Sequence, residues 1–462
     1  MFQHVLCVYP YQKELNRNGF FPPLGLECIA AVIEPHARSV DIIDLRKEDR
    51  CTIDFLNPRT DMVCFSVNWN LETEFVRDEI LSVPSNIFTV LGGRHVTEDP
   101  ERWFSACPNV DVIVRGDGEE IVEDFIRGVS LEEIPGLSFR SQDKIYHNAV
   151  RGLQAVSNDR YPNRNRRRYT YEVTVEGIGT GIGIDTLSGS RGCPFNCAFC
   201  SFNHNPWGEK RKWSGRSPQS IVEELSCIKA PVVGFTDDLF TYDMDRVEQI
   251  CDLILARGIR KKFLINTRLE IARHPDVLKK MEQAGFAMLL LGVESAHDKT
   301  LRSMGKGFNT AKIRKYFDVL RDRPMILHGY FILGNIGESM EEMEQSVPFA
   351  HELGLDTLGL SALRNSPFSG LEELVAKNTQ YHIAPNGKIY SDHCSLKELR
   401  LLRRRLYREF YTQQQMRRLL NKGLRTGLLS LLPQFLSRIP LIAYSLALRS
   451  RRRKVKYKMN HL

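Results

Sequence analysis

Cys193, Cys197 and Cys200 stand at CxxxCxxC spacing in the run Ser190-Arg191-Gly192-Cys193-Pro194-Phe195-Asn196-Cys197-Ala198-Phe199-Cys200. Three thiolates on one short loop suit three corners of a 4Fe–4S cube, for which cysteine thiolate is the usual ligand. A fourth iron would then lack a nearby protein ligand and stay open to a small molecule. A four-cysteine cluster could pass electrons but could not bind a reactant at iron. Structural zinc would need four ligands, commonly as two separated pairs, and no partner CxxC occurs in this chain.

The loop must be held by what surrounds it. From about residue 181 to 365 apolar runs alternate with amphipathic ones. Helices are expected at Pro218–Lys229, Met244–Ala256, Pro275–Ala284, Thr310–Arg321 and Ser339–Leu353. Strands are expected at Val232–Thr236, Phe263–Thr267, Ala287–Val293, Met325–Leu333 and Thr357–Ala362. With the strand before Cys193 these make six strands alternating with five helices. Chemistry in such barrels gathers at the C-terminal strand ends.

The cysteine spacing and the six strands resemble the radical S-adenosylmethionine (SAM) superfamily and its partial (βα)6 barrel. That resemblance implies a 4Fe–4S cluster whose open iron is chelated by SAM, and hydrogen abstraction from unactivated carbon by a 5′-deoxyadenosyl radical. It also assigns roles at the strand ends. Asp237 and Asp238 follow the second strand, where the superfamily binds the SAM amino group; an N-cap in a turn explains one of the two equally well. Arg268 neutralises the SAM carboxylate or pairs with a local acid such as Glu270. In this resemblance Glu294 contacts SAM; a glutamate at the end of an apolar strand is costly to bury unpaired, which favours a functional partner. Phe331–Glu338, with Gly334, resembles the loop against the adenine. Phe199 borders the adenine or packs under the cluster loop.

The first 150 residues carry five short strands rich in Val, Ile and Phe: FQHVLCVYP, SVDIIDL, DMVCFSV, IFTVLGG and VDVIVRG. Helical stretches at Leu24–Glu34 and Leu71–Leu81 lie between them, which predicts a doubly wound, flavodoxin-like parallel sheet. Its ligand edge should hold the loop Tyr9–Phe21 and the glycines Gly92, Gly93, Gly116 and Gly118, where backbone can approach a large flat ligand. No GxGxxG follows the first strand, which argues against a dinucleotide. The phrases Phe21-Pro22-Pro23-Leu24-Gly25-Leu26, Leu91-Gly92-Gly93-Arg94-His95 and Val114-Arg115-Gly116-Asp117-Gly118-Glu119 resemble the cobalamin-binding domain found ahead of many radical SAM cores. The DxHxxG motif that supplies a cobalt-ligating histidine elsewhere is missing. Cobalamin bound with an open lower face and a domain that keeps only the fold both follow from that. His95 is a candidate ligand there, although a lone loop histidine is more often a hydrogen-bonding or surface residue.

The expected organisation is therefore a cobalamin-type domain at 1–150, a linker at 151–180, the SAM core at 181–365, and a connection with a helical basic tail at 366–462. Arg160–Arg168 reads as an exposed, solvated charge run, and the alternating glycines 177–183 as an extended segment or turn. Residues 366–395 read as an exposed connection with a hairpin at Pro385-Asn386-Gly387. His382, His393 and Cys394 there fit no metal-ligand spacing.

Charge divides the chain. Its net value is +8, but from Arg400 onward 17 Lys/Arg face one acid, which leaves residues 1–399 at −8. After a basic helix at Leu396–Leu420, an apolar stretch from Leu428 to Leu448 precedes a basic cluster at Arg449–Lys458. Pro433, Arg438 and Pro440 disfavour a spanning helix, so the tail is expected on the inner face of a membrane, with a barrel cap as the competing reading. No recognition motif supports nucleic-acid binding. Eleven cysteines, scattered apart from the one cluster, fit a reducing cytoplasm. The N-terminus lacks the basic region and apolar core of a signal peptide.

A cobalamin-dependent methyltransferase acting on an unactivated carbon of a small biosynthetic intermediate is the expected activity, with flavodoxin or ferredoxin as electron donor. The alternative is a ring-forming reaction like that of the anaerobic tetrapyrrole cyclases. A non-catalytic membrane-associated protein of the same fold ranks below both.

Overall fold

The computed structural model describes residues 2–12, 21–70, 72–175, 178–200, 207, 209–365, 369–431 and 433. In the first part the order is β1 (His4–Tyr9), α1 (Leu24–Ile33), β2 (Val40–Asp44), β3 (Thr60–Ser66), α2 (Thr73–Leu81), β4 (Phe88–Gly92), α3 (Arg94–Glu98), α4 (Pro100–Ala106), β5 (Val112–Val114), α5 (Gly118–Ile126), β6 (Leu137–Ser141) and β7 (Lys144–His147). Every residue of β1 is buried, as a central strand covered on both faces requires. The sheet order is β2-β1-β3-β4-β5-β6-β7. The five expected strands are parallel, and an antiparallel hairpin, β6–β7, extends one edge. The order reverses between β1 and β3, the point at which open α/β sheets hold ligands beyond their strand ends.

The second sheet follows from β8 (Glu172–Val175) and β9 (Ile178–Leu187), then a short ribbon of β10 (Ser190–Arg191) and β11 (Ser214–Gly215). Next come α6 (Pro218–Cys227), β12 (Val232–Phe235), α7 (Met244–Ala256), β13 (Lys262–Thr267), α8 (Pro275–Ala284), β14 (Phe286–Glu294), α9 (Asp298–Ser303), α10 (Thr310–Leu320), β15 (Ile326–Leu333), α11 (Met340–Glu344), α12 (Ser346–Leu353) and β16 (Thr357–Ala362). The order β16-β15-β14-β13-β12-β9-β8 leaves the curled sheet open between its ends. Strand residues alternate between fully buried and accessible: Phe263, Ile265, Leu289, Leu291, Leu327 and Phe331 pack under the helices, while Leu264, Asn266, Met288, Leu290, His328 and Tyr330 face the concave side. Helix boundaries carry local signals, such as Ser217 capping α6 ahead of Pro218 and Gly285 at φ 101° ending α8.

Three expectations change. The arginine run in the linker is not uniformly solvated. Arg167 pairs bidentately with Glu27 of α1 and with Asp185 of β9, and Arg164 reaches Asp185 and Glu224. Tyr171 Oη donates to Asp44 at 3.0 Å. The run is a seam between the two sheets, because buried carboxylates on both sides need cations; only Arg166 and Arg168 stay exposed. The connection after residue 369 is packed. There α13 (Leu371–Ala376), β17 (Tyr381–Ile383) and β18 (Ile389–Ser391) bury Leu371, Val375 and Ile389 against Met304 and Ile332. The basic helix is two, α14 (Leu396–Phe410) and α15 (Gln413–Arg425).

Helix α14 covers the edge strand β16. Leu399, Leu402, Leu406 and Phe410 join the barrel core, while the Tyr407 and Tyr411 hydroxyls accept from the Leu360 and Leu358 amides. A free sheet edge is thereby closed to other chains. Among the described residues no helix is long and apolar enough to cross a membrane. Residues 434–462, which hold the basic cluster and most of the apolar tail, lie outside the described residues, as do positions 13–20 of the first loop.

Candidate functional site

The cysteine loop leaves the ribbon at Arg191 and is fixed from several sides. Asp237, after β12, is wholly buried; its oxygens accept from Gly189 N at 2.7 Å and Ser190 Oγ at 2.5 Å. Burial pushes this carboxyl up to about 6. With both oxygens engaged and no exposed surface, Asp237 anchors the loop. Asp238, its neighbour, opens to the cleft and accepts from Gly192 N at 3.0 Å. Ala198 N donates to Met304 O, and Lys210 Nζ to Pro194 O. The loop is thus held by backbone contacts that leave Cys193, Cys197 and Cys200 half-buried beside one another in the chain.

Among the described residues, no three His, Cys, Asp or Glu side chains converge as ligands of a single metal ion. A cube gives each thiol its own iron, so three separate thiols on one loop fit it. Arg268, at the end of β13, lies over the Phe195 ring at 3.7 Å, with Nη1 3.7 Å from Cys197 Sγ. Its other donors go to Glu270 and to Lys306 O. Arg268 thus pairs with Glu270 and also stands as a fixed cation beside the Cys197 thiol.

Glu294 ends β14 at φ 71°, a conformation a side chain seldom adopts. Its carboxylate is buried and paired with Lys306 Nζ at 3.1 Å. Gly292 makes this fold-back possible, since a Cβ there would meet Glu294 Oε1 at 2.4 Å. Strain held at a strand end beside a cleft is a marker of function. No sequence signal points to Lys306, because it lies twelve residues on and no motif links it to Glu294. Its ammonium also lies 5.9 Å from the Phe199 ring, and Phe199 packs against the Met304–Ile332–Leu363 cluster. Gly334, at φ 76°, donates to Glu338 Oε2. Burial raises Glu338 to about 7, so the loop after β15 folds around its own acid.

The first sheet carries a cavity of about 310 Å³ at its ligand edge. Apolar walls from Leu26, Ile29, Phe65 and Val90 run inward, and Gly92, Gly93, Gly116 and Gly118 form the rim. Gly93 has φ 107°, and a Cβ there would strike Val67 O at 2.6 Å; Gly116 has φ 99° and faces Trp207. Both positions lie in the left-handed region that favours glycine. His95 does not line this cavity. It sits on α3 edge-on to Trp103, with Glu98 3.9 Å away. Arg191 and Arg211 close the cavity from the barrel side, paired with Glu119 and Asp117.

The concave face of the barrel opens at the same seam. Leu264, Met288 and Leu290 give an apolar pad, while His328 holds Thr357 Oγ1 at 2.8 Å and stands edge-on to Tyr330. Burial lowers His328 to about 4, so it is neutral at pH 7. Phe21, carried from the first sheet, reaches within 3.4 Å of where a Gly234 Cβ would stand. Sequence periodicity could have marked these inward positions, but not which of them meet. In the C-terminal connection, His382 pairs with Asp392 at 2.6 Å and Cys394 is buried against Met340.

Comparison with known proteins agrees with this arrangement. Residues 15–126 match the B12 binding domain and residues 187–350 the radical SAM superfamily. The uncharacterised methyltransferase PH0819 of Pyrococcus horikoshii is 28% identical over 413 residues, covering 84% of this chain and 88% of that protein. The anaerobic magnesium-protoporphyrin IX monomethyl ester cyclase of Cereibacter sphaeroides is 28% identical over 319 residues, covering 64% of this chain and 50% of that protein, so the match spans half of its length. In fold, the chain is similar to the radical S-adenosylmethionine methyltransferase TsrM from Kitasatospora setae, solved with cobalamin and a 4Fe–4S cluster bound. The TM-score is 0.66 at 16% identity, with 83% of this chain and 76% of that one covered.

Proposed function

We propose, for a radical SAM enzyme that carries a B12 binding domain ahead of its barrel, that the reaction is cobalamin-dependent methylation of an unactivated carbon in a small, largely apolar molecule. One observation carries this reading: the 310 Å³ cavity and the cysteine loop share a wall, since Arg191 lines the cavity and lies two residues from Cys193. When bound, the cluster with SAM supplies hydrogen abstraction and cobalamin supplies a transferable methyl group.

The residues of the chain divide the work of holding these groups. Cys193, Cys197 and Cys200 would carry the cluster, with Arg268 offsetting its negative charge. Asp238, Glu294 and the Gly334 loop would hold SAM, with Phe199 beneath. Gly92, Gly93, Gly116 and Gly118 would receive cobalamin against bare backbone, and the cavity between α1 and α5 is the room for its buried portion. The pad of Leu264, Met288 and Leu290 would exclude water from the reacting carbon and favour an apolar substrate, with neutral His328 and Tyr330 orienting its polar end. Fixing three partners at one seam removes most of the orientational freedom that otherwise opposes their meeting.

A second reading, a ring-forming reaction without methyl gain, is supported by similarity to the anaerobic cyclase. The two separate on one experiment. Anaerobically reconstituted enzyme, cobalamin and SAM bearing a deuterated methyl group are incubated with cell extract, and products are weighed by mass spectrometry. Methylation transfers label from SAM; a product of altered mass without label would leave the cyclase reading standing.

The electron donor is a flavodoxin or ferredoxin on this reading. The basic cluster at 449–458 would hold the protein to an anionic inner membrane face, each Lys or Arg near the surface contributing about 1 kcal/mol.

A further inference from the structure

Helix α15 is turned inside out. The side chains that dock it are polar: Gln415 donates to Leu355 O and Asp356 O, Arg418 to Asp356 and Gly354 O, and Lys422 to Met325 O and Asp356 Oδ2. Asp356 is wholly enclosed, and Gln415 and Lys422 are nearly so. Lys262 Nζ donates in turn to Thr426 O at the end of the helix. Three of its apolar side chains point outward instead. Met416, Leu420 and Leu424, spaced by four, are 44%, 56% and 62% exposed and form one stripe. Arg417 and Arg425 flank it, both exposed.

An amphipathic helix normally buries its apolar stripe. Here the docking is done by hydrogen bonds and ion pairs, so the stripe is free for another apolar phase. We propose that it docks on an anionic lipid bilayer. Charge decides between bilayer and protein partner: the stripe lies in a region where 17 Lys/Arg face one acid, and the chain continues from it into an apolar run and then the basic cluster. Apolar residues bordered by arginine are the pattern of interfacial helices. A second copy of the chain would bring like charges together.

Orientation follows from where α15 sits. Lys262, Met325 and Asp356 lie at or just before the N-terminal ends of β13, β15 and β16. The cysteine loop and the cavity lie at the opposite, C-terminal ends. A bilayer held on the stripe therefore faces the barrel base, and the cleft faces away from lipid. Substrate then reaches the cleft through water or from a carrier, not by sliding directly out of the membrane.

The inference deepens the tail contact proposed above and rests on it, so the test separates the two. Full-length protein is sedimented with vesicles of phosphatidylglycerol and phosphatidylcholine at low and high salt. Three variants are compared: Met416→Gln with Leu420→Gln and Leu424→Gln; the apolar control Met416→Leu with Leu420→Met and Leu424→Met; and a tail in which the Lys and Arg residues of 449–458 are changed to Gln. The stripe variant should partition on the order of tenfold less than the parent, the apolar control as the parent does, and both Gln variants should keep the parent's cluster absorbance. Parent-like binding by the stripe variant overturns the docking face while leaving the tail contact intact. Absence of binding by the parent overturns both. A concentration-dependent dimer that the stripe variant abolishes, without lipid, would assign the stripe to self-association and overturn the proposal equally.

Discussion

Arg268 places a cation 3.7 Å from the Cys197 sulfur, so the thiolate loop meets a fixed positive charge before any iron arrives. The three cysteines and this guanidinium are one unit, and replacing Cys193, Cys197 and Cys200 by Ala should abolish iron–sulfur absorbance and 5′-deoxyadenosine formation together. Cys227→Ala and Cys251→Ala should do neither, since the first is at the surface and the second is deep in the helix-packed core. A triple variant that still cleaves SAM would end the radical SAM assignment of this loop. The Glu294–Lys306 pair makes a second claim. Removing one partner of a buried pair leaves an uncompensated charge and costs about 3–5 kcal/mol. Lys306→Met should therefore lower stability by an amount of that order in denaturant, and should raise the KM for SAM. An unchanged denaturation midpoint would mean that Glu294 finds water or another cation. At this scale the sequence was informative where a residue's own neighbours set its role. Cysteine spacing and a glutamate ending an apolar strand were both legible. Asp237 and Asp238 were not separable, because what distinguishes them is the approach of Gly189 and Ser190 from another strand. Lys306 was hidden for the same reason.

Among elements, alternation of burial along β13, β14 and β15 turns one face to the helices and the other to an accessible hollow. This is the part of the fold that sequence predicts best, since period two and period 3.6 patterns are written locally; α7, α8 and β16 begin and end as expected. The arginine run and α15 defied the same logic. A charged segment looks solvated unless the carboxylates that will bury it are known, and Glu27 and Asp185 lie far off in sequence. Likewise the polar face of α15 is buried because Asp356, far off in sequence, lies beneath it. His328 in the hollow offers a test of element-level burial. Its pKa is depressed to about 4 by burial, so the folded state binds fewer protons than the unfolded one below the ordinary histidine value. The stability it contributes is present above about pH 6.5 and is lost as pH falls toward 4. Asp237 has the opposite sign over part of this range, with its raised pKa favouring the fold at low pH, but it is common to parent and variant. Urea midpoints at pH 7.5 and 4.5 should thus fall further for the parent than for His328→Gln, which stays neutral. Parallel falls would show that His328 is charged in the fold.

For the molecule as a whole, what matters is that two sheets are locked with their ligand edges facing one seam. Arg167 ties α1 to β9, Tyr171 ties β2 to the linker, and Arg364 reaches Asn70 across the seam. The contact most closely joined to the chemistry is that of Arg191 with Glu119. Burial would raise the Glu119 carboxyl, but Arg191 beside it holds it below the ordinary range. Glu119 opens α5 at the cavity rim, and Arg191 leads directly into the cysteine loop, so the pair should make cobalamin retention and cluster integrity depend on each other. Arg191→Met should reduce both the cobalamin retained after desalting and the cluster absorbance of the same sample. Glu119→Gln should reduce cobalamin retention more than cluster content, since it lies on the cavity side. In the double variant the losses should be smaller than the sum of the single ones, with a coupling of about 1–2 kcal/mol in cobalamin affinity, as for residues in direct contact. Strict additivity, or loss of cobalamin with the cluster wholly unaffected in Arg191→Met, would show that the two sheets hold their cofactors independently and that the seam is only a structural hinge.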